Sequence, residues 1–460
     1  MNMQMNNPLA ALAGYIVSIR CGALPANVQQ AAIACALDTL GAGIGGLDYE
    51  EVPNVITTFL AYSGSYGDTN KKASIWGSAD STSVFQAAFL NGAMSHALEL
   101  DDVHTGSKTH IGAACIPAIW AVAEAVNATG AQVVEAIVAA YETMARIGKG
   151  FGVADHRLKG WHVSGTAGTF GACAGAGKLL GLDARTMLYA LGMAGTQSSG
   201  LWAFLEDGAT SKKMHTGRAA ENGVVAAFLA KAGMTGPEHI LDAKDGGLYP
   251  ATSGSYDLAE VTRELGKVYE ILFVDRKPYS CCRSMHPALD AILAVRAEKF
   301  VDPSEIKKIT ITSYEVGVKQ CGVIVYPVNA SEAKFSMRFG VAAAYIDGAA
   351  AQKQFSQERI ADPVVKELAG KIDYFVDKAY TDRYPKSWGC GMEVEFTDGT
   401  RIEKIVLDAS GSVANPMTSE QIEQKFMALV TPLLGAATNG IVAAIKNLET
   451  QPTIRGLLRK

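Results

Sequence analysis

Apolar positions recur at three- and four-residue spacing through most of the first 250 residues. Residues 25–47 carry Val28, Ala32, Cys35, Ala36 and Leu40 on one helical stripe and end in Gly41 and the Gly45-Gly46 pair. Residues 52–62, 83–100, 116–126 and 133–147 repeat the pattern, with Asn127-Ala-Thr-Gly130 as a breaker between the last two. In residues 165–180, Gly165, Gly168, Gly171 and Gly175 recur every three or four positions. Propensity alone disfavours so many glycines in a helix, so the stripe predicts a face that other helices approach closely.

The period changes near residue 254. Gly246-Gly247, Tyr249-Pro250 and Ser253-Gly-Ser255 form a turn-rich linker, and β-branched alternation follows over residues 306–316 and 392–407. Asp398-Gly399 splits the second run with a hairpin turn signal. Helical patterns fill residues 332–346 and 358–368, and amphipathic helices return after Pro416 over residues 419–434 and 440–448. The predicted fold is mainly α. Both chain ends, residues 1–254 and 410–460, form a large all-helical domain into which a smaller α+β lid domain, residues 255–409, is inserted.

A length of 460 residues exceeds what one core normally takes, which agrees with two domains. The formal charge of −5 argues against nucleic acid or an anionic membrane as partner. Eight cysteines with no C-x-x-C pair predict reduced thiols. Met1 to Asn7 has no basic leader pattern, and no apolar run reaches the roughly 18 residues of a bilayer span. A soluble, cytoplasmic protein is expected.

The densest chemistry lies between Ser95 and His110. His96, Glu99, Asp101, Asp102, His104, Lys108 and His110 sit there between apolar runs at 87–94 and 111–122. So many titratable groups between core-like segments predict a cavity, with a polar interhelical loop as the competing expectation. His96, at the end of an apolar helix, is expected to be buried, neutral and hydrogen-bonded. Lys159-Gly-Trp-His162 precedes the glycine-striped helix, which Ser164 or Thr166 could cap, leaving His162 at its positive end. Lys212, His215 and Ala219 share a helical face. Pro278 and Pro287 stiffen a loop that presents Arg276, Lys277, Arg283 and His286. Cys281 and Cys282 beside that histidine invite a zinc reading, but no second ligand pair is near, so no metal is expected. Lys334 and Arg338 are expected to share a face of one packing helix. Gly175-Ala-Gly177-Lys178 imitates a phosphate loop but has Ala172 and Leu179 where that loop needs glycine and a hydroxyl.

These motifs together resemble the MmgE/PrpD family, the 2-methylcitrate dehydratases and their relatives. His96-Ala-Leu-Glu-Leu-Asp-Asp-Val-His104 looks like the family's histidine–Asp-Asp motif. Gly160-Trp-His162, Lys212 to Gly217 with Arg218-Ala-Ala, Lys277-Pro-Tyr to His286-Pro, and Glu332-Ala-Lys-Phe-Ser follow in family order. The resemblance implies a large helical domain with an α+β lid, a homodimer, and lyase or isomerase chemistry on di- and tricarboxylates without metal or other cofactor. Dehydration of 2-methylcitrate, decarboxylation of cis-aconitate and epimerisation of iminodisuccinate are the activities it suggests. It places pocket residues at Glu99, Val103, His110, His162, Lys212, Lys277 and Cys282. Glu99 stands where the family usually has aspartate, and Val103 where threonine is common. The animal itaconate-forming branch has histidine at the position of Cys282.

Elementary electrostatics points the same way. A substrate of charge about −3 needs fixed cations, which Lys212, Lys277 and Arg283 could supply. Proton transfer at carbon needs a group that titrates near neutrality, and histidine is the usual one. The expected catalytic residues are His104, His110, His162, Lys212 and Lys277, with Glu99, Asp102, Val103, His215, Cys282 and Arg283 around the substrate. The expected function is a metal-free lyase of a small polycarboxylate, acting by dehydration or decarboxylation. Its alternatives are an epimerase of a dicarboxylate such as iminodisuccinate, or a non-catalytic polycarboxylate-binding protein on the same fold.

Overall fold

The computed structural model describes residues 7–63, 72–384 and 386–458. Residues 1–6, most of the segment in which no leader pattern is expected, lie outside the described residues. The fold is mainly α, with small sheets. At its centre is the helix Ile111–Val126, whose residues 111–124 are all buried. A helix apolar on every side must be surrounded. Val84–Ala97, Gly130–Gly150, Val163–Leu179 and Lys212–Lys231 all pack against it.

The glycines set how closely these helices approach. A methyl on Gly223 would lie 2.5 Å from the Ala172 side chain and 2.6 Å from the Cys173 nitrogen. A Cβ on Gly92 would likewise lie 2.9 Å from the Gly217 Cα, and one on Gly217 would lie 2.6 Å from the Phe89 carbonyl oxygen. Asn127 closes the central helix in a left-handed conformation, and Thr129 opens the next with a reciprocal cap to Gln132.

The larger core draws its buried apolar residues from Leu9 to Val274 and again from Ile422 to Leu458. The helix Ser419–Leu434 packs on Ala26–Gly45, so the end of the chain lies on its beginning. A second core gathers residues between Cys281 and Phe396. Its sheet runs Ile372–Val376, Ile306–Ser313, Cys390–Phe396, Arg401–Val406. The first pair is parallel and the others antiparallel. Gly399, at φ +84°, makes the hairpin turn between the last two strands. The helix His286–Glu298 lies against that hairpin.

Several local expectations differ from what forms. The run at 306–316 stops as a strand at Ser313, and a helix Glu315–Cys321 follows. The pattern at 332–346 is two helices, Ala330–Ala333 and Met337–Asp347, because the Ser336 hydroxyl accepts from the Phe339 amide and starts a new one. The 358–368 pattern breaks at Asp362-Pro363 for the same kind of reason. The strand Ile372–Val376 was not foreseen. The linker near 254 is anchored: Tyr249 is fully buried and its hydroxyl donates to the Ile147 carbonyl at 2.8 Å.

Gly223→Ala should therefore destabilise the fold by about 1–3 kcal/mol, because backbone of the neighbouring helix must move. Gly440→Ala should be neutral or stabilising by up to about 1 kcal/mol, since its helical site has open space around it. Chemical denaturation of both variants checks this, and equal effects would refute the close-packing account.

Candidate active site

Several helix ends meet where the two cores face each other. Val84–Ala97 ends beside His96, while Ile111–Val126, Val163–Leu179 and Lys212–Lys231 begin at His110, His162 and Ser211. Three positive helix ends facing one region favour an anion there. The expected cap from Ser164 or Thr166 does not form, and His162 occupies the cap position without a side-chain bond. The Ser164 hydroxyl instead accepts from the His110 amide at 3.1 Å, tying one helix start to another.

Glu99 is the centre of the ionic structure. Its backbone is left-handed, φ +56°, and turns the chain back after the helix. The preceding Leu98 carbonyl is held from the other core by the Ser280 hydroxyl at 2.6 Å and the Lys334 ammonium at 3.3 Å. One Glu99 oxygen then meets the Lys212 ammonium, and the other lies 3.3 Å from Lys277 Nζ. All three residues are buried. Burial alone would raise the Glu99 carboxyl, but the two ammoniums outweigh it and hold it well below the usual range. Burial works against the Lys277 charge as well, and Glu99 and Asp101 reverse the balance.

Asp101 binds two histidines. Its Oδ2 lies 2.7 Å from His96 Nδ1 and 2.9 Å from His110 Nδ1, while Oδ1 is 3.8 Å from Lys277 Nζ. Burial, partly offset by Asp101, lowers His110 to about 4, so its ring is neutral at pH 7. With Nδ1 turned to Asp101, Nε2 is the nitrogen left for a ligand. His162 Nδ1 is 2.9 Å from His215 Nδ1, one ring donating and the other accepting. Burial, then His215 and Lys212, push His162 well below its ordinary value. Burial brings His215 to about 4.

A cavity of about 120 Å³ lies among these groups, lined by Glu99, Val103, His110, His162, Lys212, Lys277, Cys282 and Arg283. The Cys282 thiol is lowered to about 6, first by a hydrogen bond with Cys321 and, against its burial, by Lys212. Arg283 is committed elsewhere, donating to Asp275 at 3.1 Å and to the Ser410 carbonyl at 3.0 Å.

The remaining expected site residues lie off the cavity wall. His104 faces a larger cavity of about 500 Å³, with Nδ1 2.8 Å from the Ser107 hydroxyl and Nε2 3.2 Å from Glu270. The cause is strand geometry. Val103–His104 pairs with Val274–Asp275, and successive side chains on a strand point to opposite faces, so Val103 takes the inner side. That larger cavity is lined by His104, Lys149 and Lys386 but by none of His110, His162, Lys212 and Lys277, so the smaller one is the candidate site. Asp102 turns into the helical core, where its oxygens accept from Tyr141 at 2.6 Å and the Gly112 amide at 2.8 Å. It caps the central helix, and burial, opposed by the Tyr141 bond, raises its carboxyl to about 7. His215 stands behind His162. His96 is buried and bonded to Asp101, and so aligns the carboxylate that holds His110.

The residues not foreseen at the cavity include Arg157, Trp202, Phe335, Tyr384 and Trp388. Phe335 lies within the Glu332-Ala-Lys-Phe-Ser motif, but the surroundings of the others carried no signal, because the aromatic ones come from turns and short helices whose approach only tertiary packing sets. Lys334, expected on a helix face, sits in the break between two helices. Its ammonium bonds Tyr49 at 3.0 Å and the Ala97 carbonyl at 3.4 Å.

Ligand atoms of His96, Asp101 and His110, one from each, lie within 4.8 Å of one another, a grouping that could hold a cation. Their 2.7 and 2.9 Å contacts are hydrogen-bond lengths, and the Lys277 ammonium already supplies positive charge on the far side of Asp101. The cluster is charge-balanced without an ion.

A helical body with an α+β part and a lysine- and histidine-lined cavity between them defines the protein class, and the chain belongs to the MmgE/PrpD family. The family's N-terminal domain model matches residues 10–260 and its C-terminal domain model residues 279–450. Lys277 falls at the junction of the two. The chain is 27% identical to a cis-aconitate decarboxylase-like protein of Aspergillus oryzae, covering 98% of this chain and 96% of the relative. It is 28% identical to the cis-aconitate decarboxylase of Homo sapiens, covering 97% and 93%. It is 24% identical to the 2-methylcitrate dehydratase of Salmonella typhimurium, covering 81% and 80%.

Buried neutral histidines also set the acid stability. His156, between the Thr252 carbonyl and the Thr166 hydroxyl, is lowered to about 4 by burial, partly offset by Thr252. The unfolded chain binds protons on such residues from about pH 6.5 downward, and the folded chain does so only near 4. Their contribution is thus complete above about 6.5 and is lost as pH falls toward 4. Thermal melts from pH 6.5 to 4 should show His156→Gln losing less Tm than wild type, the difference isolating this histidine from groups such as Asp102 whose raised carboxyl acts in the opposite sense. An equal loss in both would refute the assignment.

Proposed function

We propose that this protein is a lyase that decarboxylates a small unsaturated tricarboxylate of the cis-aconitate kind by proton transfer at a carbon next to a carboxylate. One observation carries the reading: two buried lysines share a single carboxylate at the edge of a cavity whose other polar wall is two neutral histidines, His162 buried and His110 half-buried. The names of the relatives in the preceding section support decarboxylation over dehydration, with greater identity and coverage on the decarboxylase side.

The chemistry follows from the arrangement. Two substrate carboxylates take the Lys212 and Lys277 ammoniums, which Glu99 holds in place. Loss of carbon dioxide breaks a carbon–carbon bond and shifts the electron pair through the adjacent double bond onto a carbon that bears another carboxylate, where a fixed ammonium stabilises the charge. That carbon then takes a proton. In the empty site His110 and His162 are neutral, but a polyanion beside them raises their proton affinity, so the donor is loaded as substrate binds. Asp101 and His215 set the tautomers of the two rings. A homodimer in the cytoplasm, acting without metal on a soluble acid, completes the reading. Among the described residues, no helix is long and apolar enough to cross a membrane.

Incubation with cis-aconitate, followed by proton NMR and carbon dioxide detection, tests this. Carbon dioxide with a new conjugated acid is the expected result. Water addition or loss instead would identify a dehydratase, solvent deuterium in returned substrate an epimerase, and binding without turnover a non-catalytic protein. Lys212→Ala and Lys277→Ala should each lower kcat/KM by at least about tenfold. His110→Gln and His162→Gln should lower kcat by about a hundredfold or more while folding normally. Activity should survive dialysis against EDTA, and its loss with recovery on adding one metal would overturn the metal-free assignment.

A further inference from the structure

Two cations in the cavity have no role in the chemistry just described. Lys108 and Arg157 both line it. Lys108 sits on a tight loop, φ +61°, with its amide bonded to the His104 carbonyl at 2.8 Å. Its ammonium is buried and has no hydrogen-bond acceptor among the described residues. It rests on two aromatic faces, 3.4 Å from the Tyr384 ring centre and 3.9 Å from that of Trp388. Arg157 lies over Trp202, its guanidinium carbon 4.0 Å from the ring centre, and its buried Nε also has no acceptor among the described residues. Burial lowers the proton affinity of both, offset by Asp275 for Lys108 and by Tyr384 for Arg157.

The other cations of the cavity are accounted for. Lys212 and Lys277 share Glu99, Arg283 is bonded to Asp275, and Lys319 is exposed to solvent. Aromatic faces attract cations but do not satisfy N–H donors. Two like charges near one aromatic residue, each with idle donors, form an arrangement that a carboxylate would complete.

We propose that Lys108 and Arg157 form a second carboxylate subsite, distinct from Lys212 and Lys277, that takes the third carboxylate of a tricarboxylate ligand. This rests on the polycarboxylate reading above and deepens it: the pair selects three-carboxylate over two-carboxylate acids. Tyr384 and Trp388, from the stretch of chain that builds the smaller core, keep the lysine desolvated until a ligand arrives. Removing an unpartnered buried ammonium should relieve a desolvation penalty, so the site trades stability for recognition.

The experiment uses tricarballylate, a saturated tricarboxylate, and glutarate, its two-carboxylate counterpart. Calorimetric titration of wild type, Lys108→Met and Arg157→Met should give tricarballylate Kd values raised at least about tenfold in each variant, with glutarate changed less than about threefold. Lys108→Met should melt no lower than wild type, and Lys108→Arg should recover part of the tricarballylate affinity. Equal weakening of both ligands, or of neither, overturns the subsite. If wild type binds tricarballylate and decarboxylates its substrate while both variants bind normally, only the subsite falls. If wild type binds neither acid, the polycarboxylate reading falls and the subsite with it.

Discussion

The carboxylate of Glu99, held between Lys212 and Lys277, is the contact on which the site depends. Lys212 opens a helix of the larger core, Lys277 lies on the connection to the smaller one, and Glu99 follows the end of a third element. Taking three ions out of water is expensive, several kcal/mol for each, and their mutual attraction recovers that only with good geometry. The triad is therefore a poor device for stability. What it does is fix two ammoniums at the boundary of two cores with their donors already oriented. The left-handed turn at Glu99 and the bonds from Ser280 and Lys334 to Leu98 are the supports that make this geometry repeatable. Removing any one partner leaves an uncompensated buried charge, so the three residues act as a unit.

The glycine-rich packing bears on the same point from a distance. His110, His162 and Lys212 stand at the starts of three helices, and those starts converge only because the helices behind them approach nearly backbone to backbone. Larger residues at Gly92, Gly217 or Gly223 would push the helix axes apart and spread the positive ends. Each helix end contributes a modest field, about 0.3–1 kcal/mol when exposed. Convergence in a water-poor cavity is what makes several such fields act on one anion. The stripe of small residues thus belongs to the site, although none of it touches the cavity.

Much of this was legible in the sequence, for a physical reason in each case. Helical spacing put Lys212 and His215 on one face, and alternation with Asp398-Gly399 marked the hairpin of the smaller core. The family resemblance named the cavity residues that belong to separate motifs. The misplacements share a different cause. Whether Val103 or His104 faces inward depends on pairing with Val274–Asp275, a register that no local pattern encodes. Asp102 was read with its neighbours as a site carboxylate, but the start of the next helix claims it through the Gly112 amide. Arg157 and the aromatic residues Tyr384 and Trp388 come from opposite cores, and their meeting is a tertiary event. The strand Ile372–Val376 is short and pairs in parallel with a distant segment, so nothing near it announced its partner.

The neutrality of the histidines gives the site a consistent order of events. Lys212 and Lys277 already meet Glu99 and Asp101, Arg157 lines the same cavity, and burial disfavours any further proton on the histidines. Protonating His110 or His162 under those conditions would add a cation to a cationic, desolvated space. A polyanion reverses that balance, because each carboxylate it brings offsets an ammonium and lowers the electrostatic cost of a new imidazolium. Asp101 lies at the point where this matters, hydrogen-bonded to His96, 2.9 Å from His110 Nδ1 and 3.8 Å from Lys277 Nζ. A proton arriving at His110 is stabilised there only while the lysine is engaged by another anion. The same electrostatics that attract the ligand therefore arm the acid, and an empty site keeps its histidines neutral.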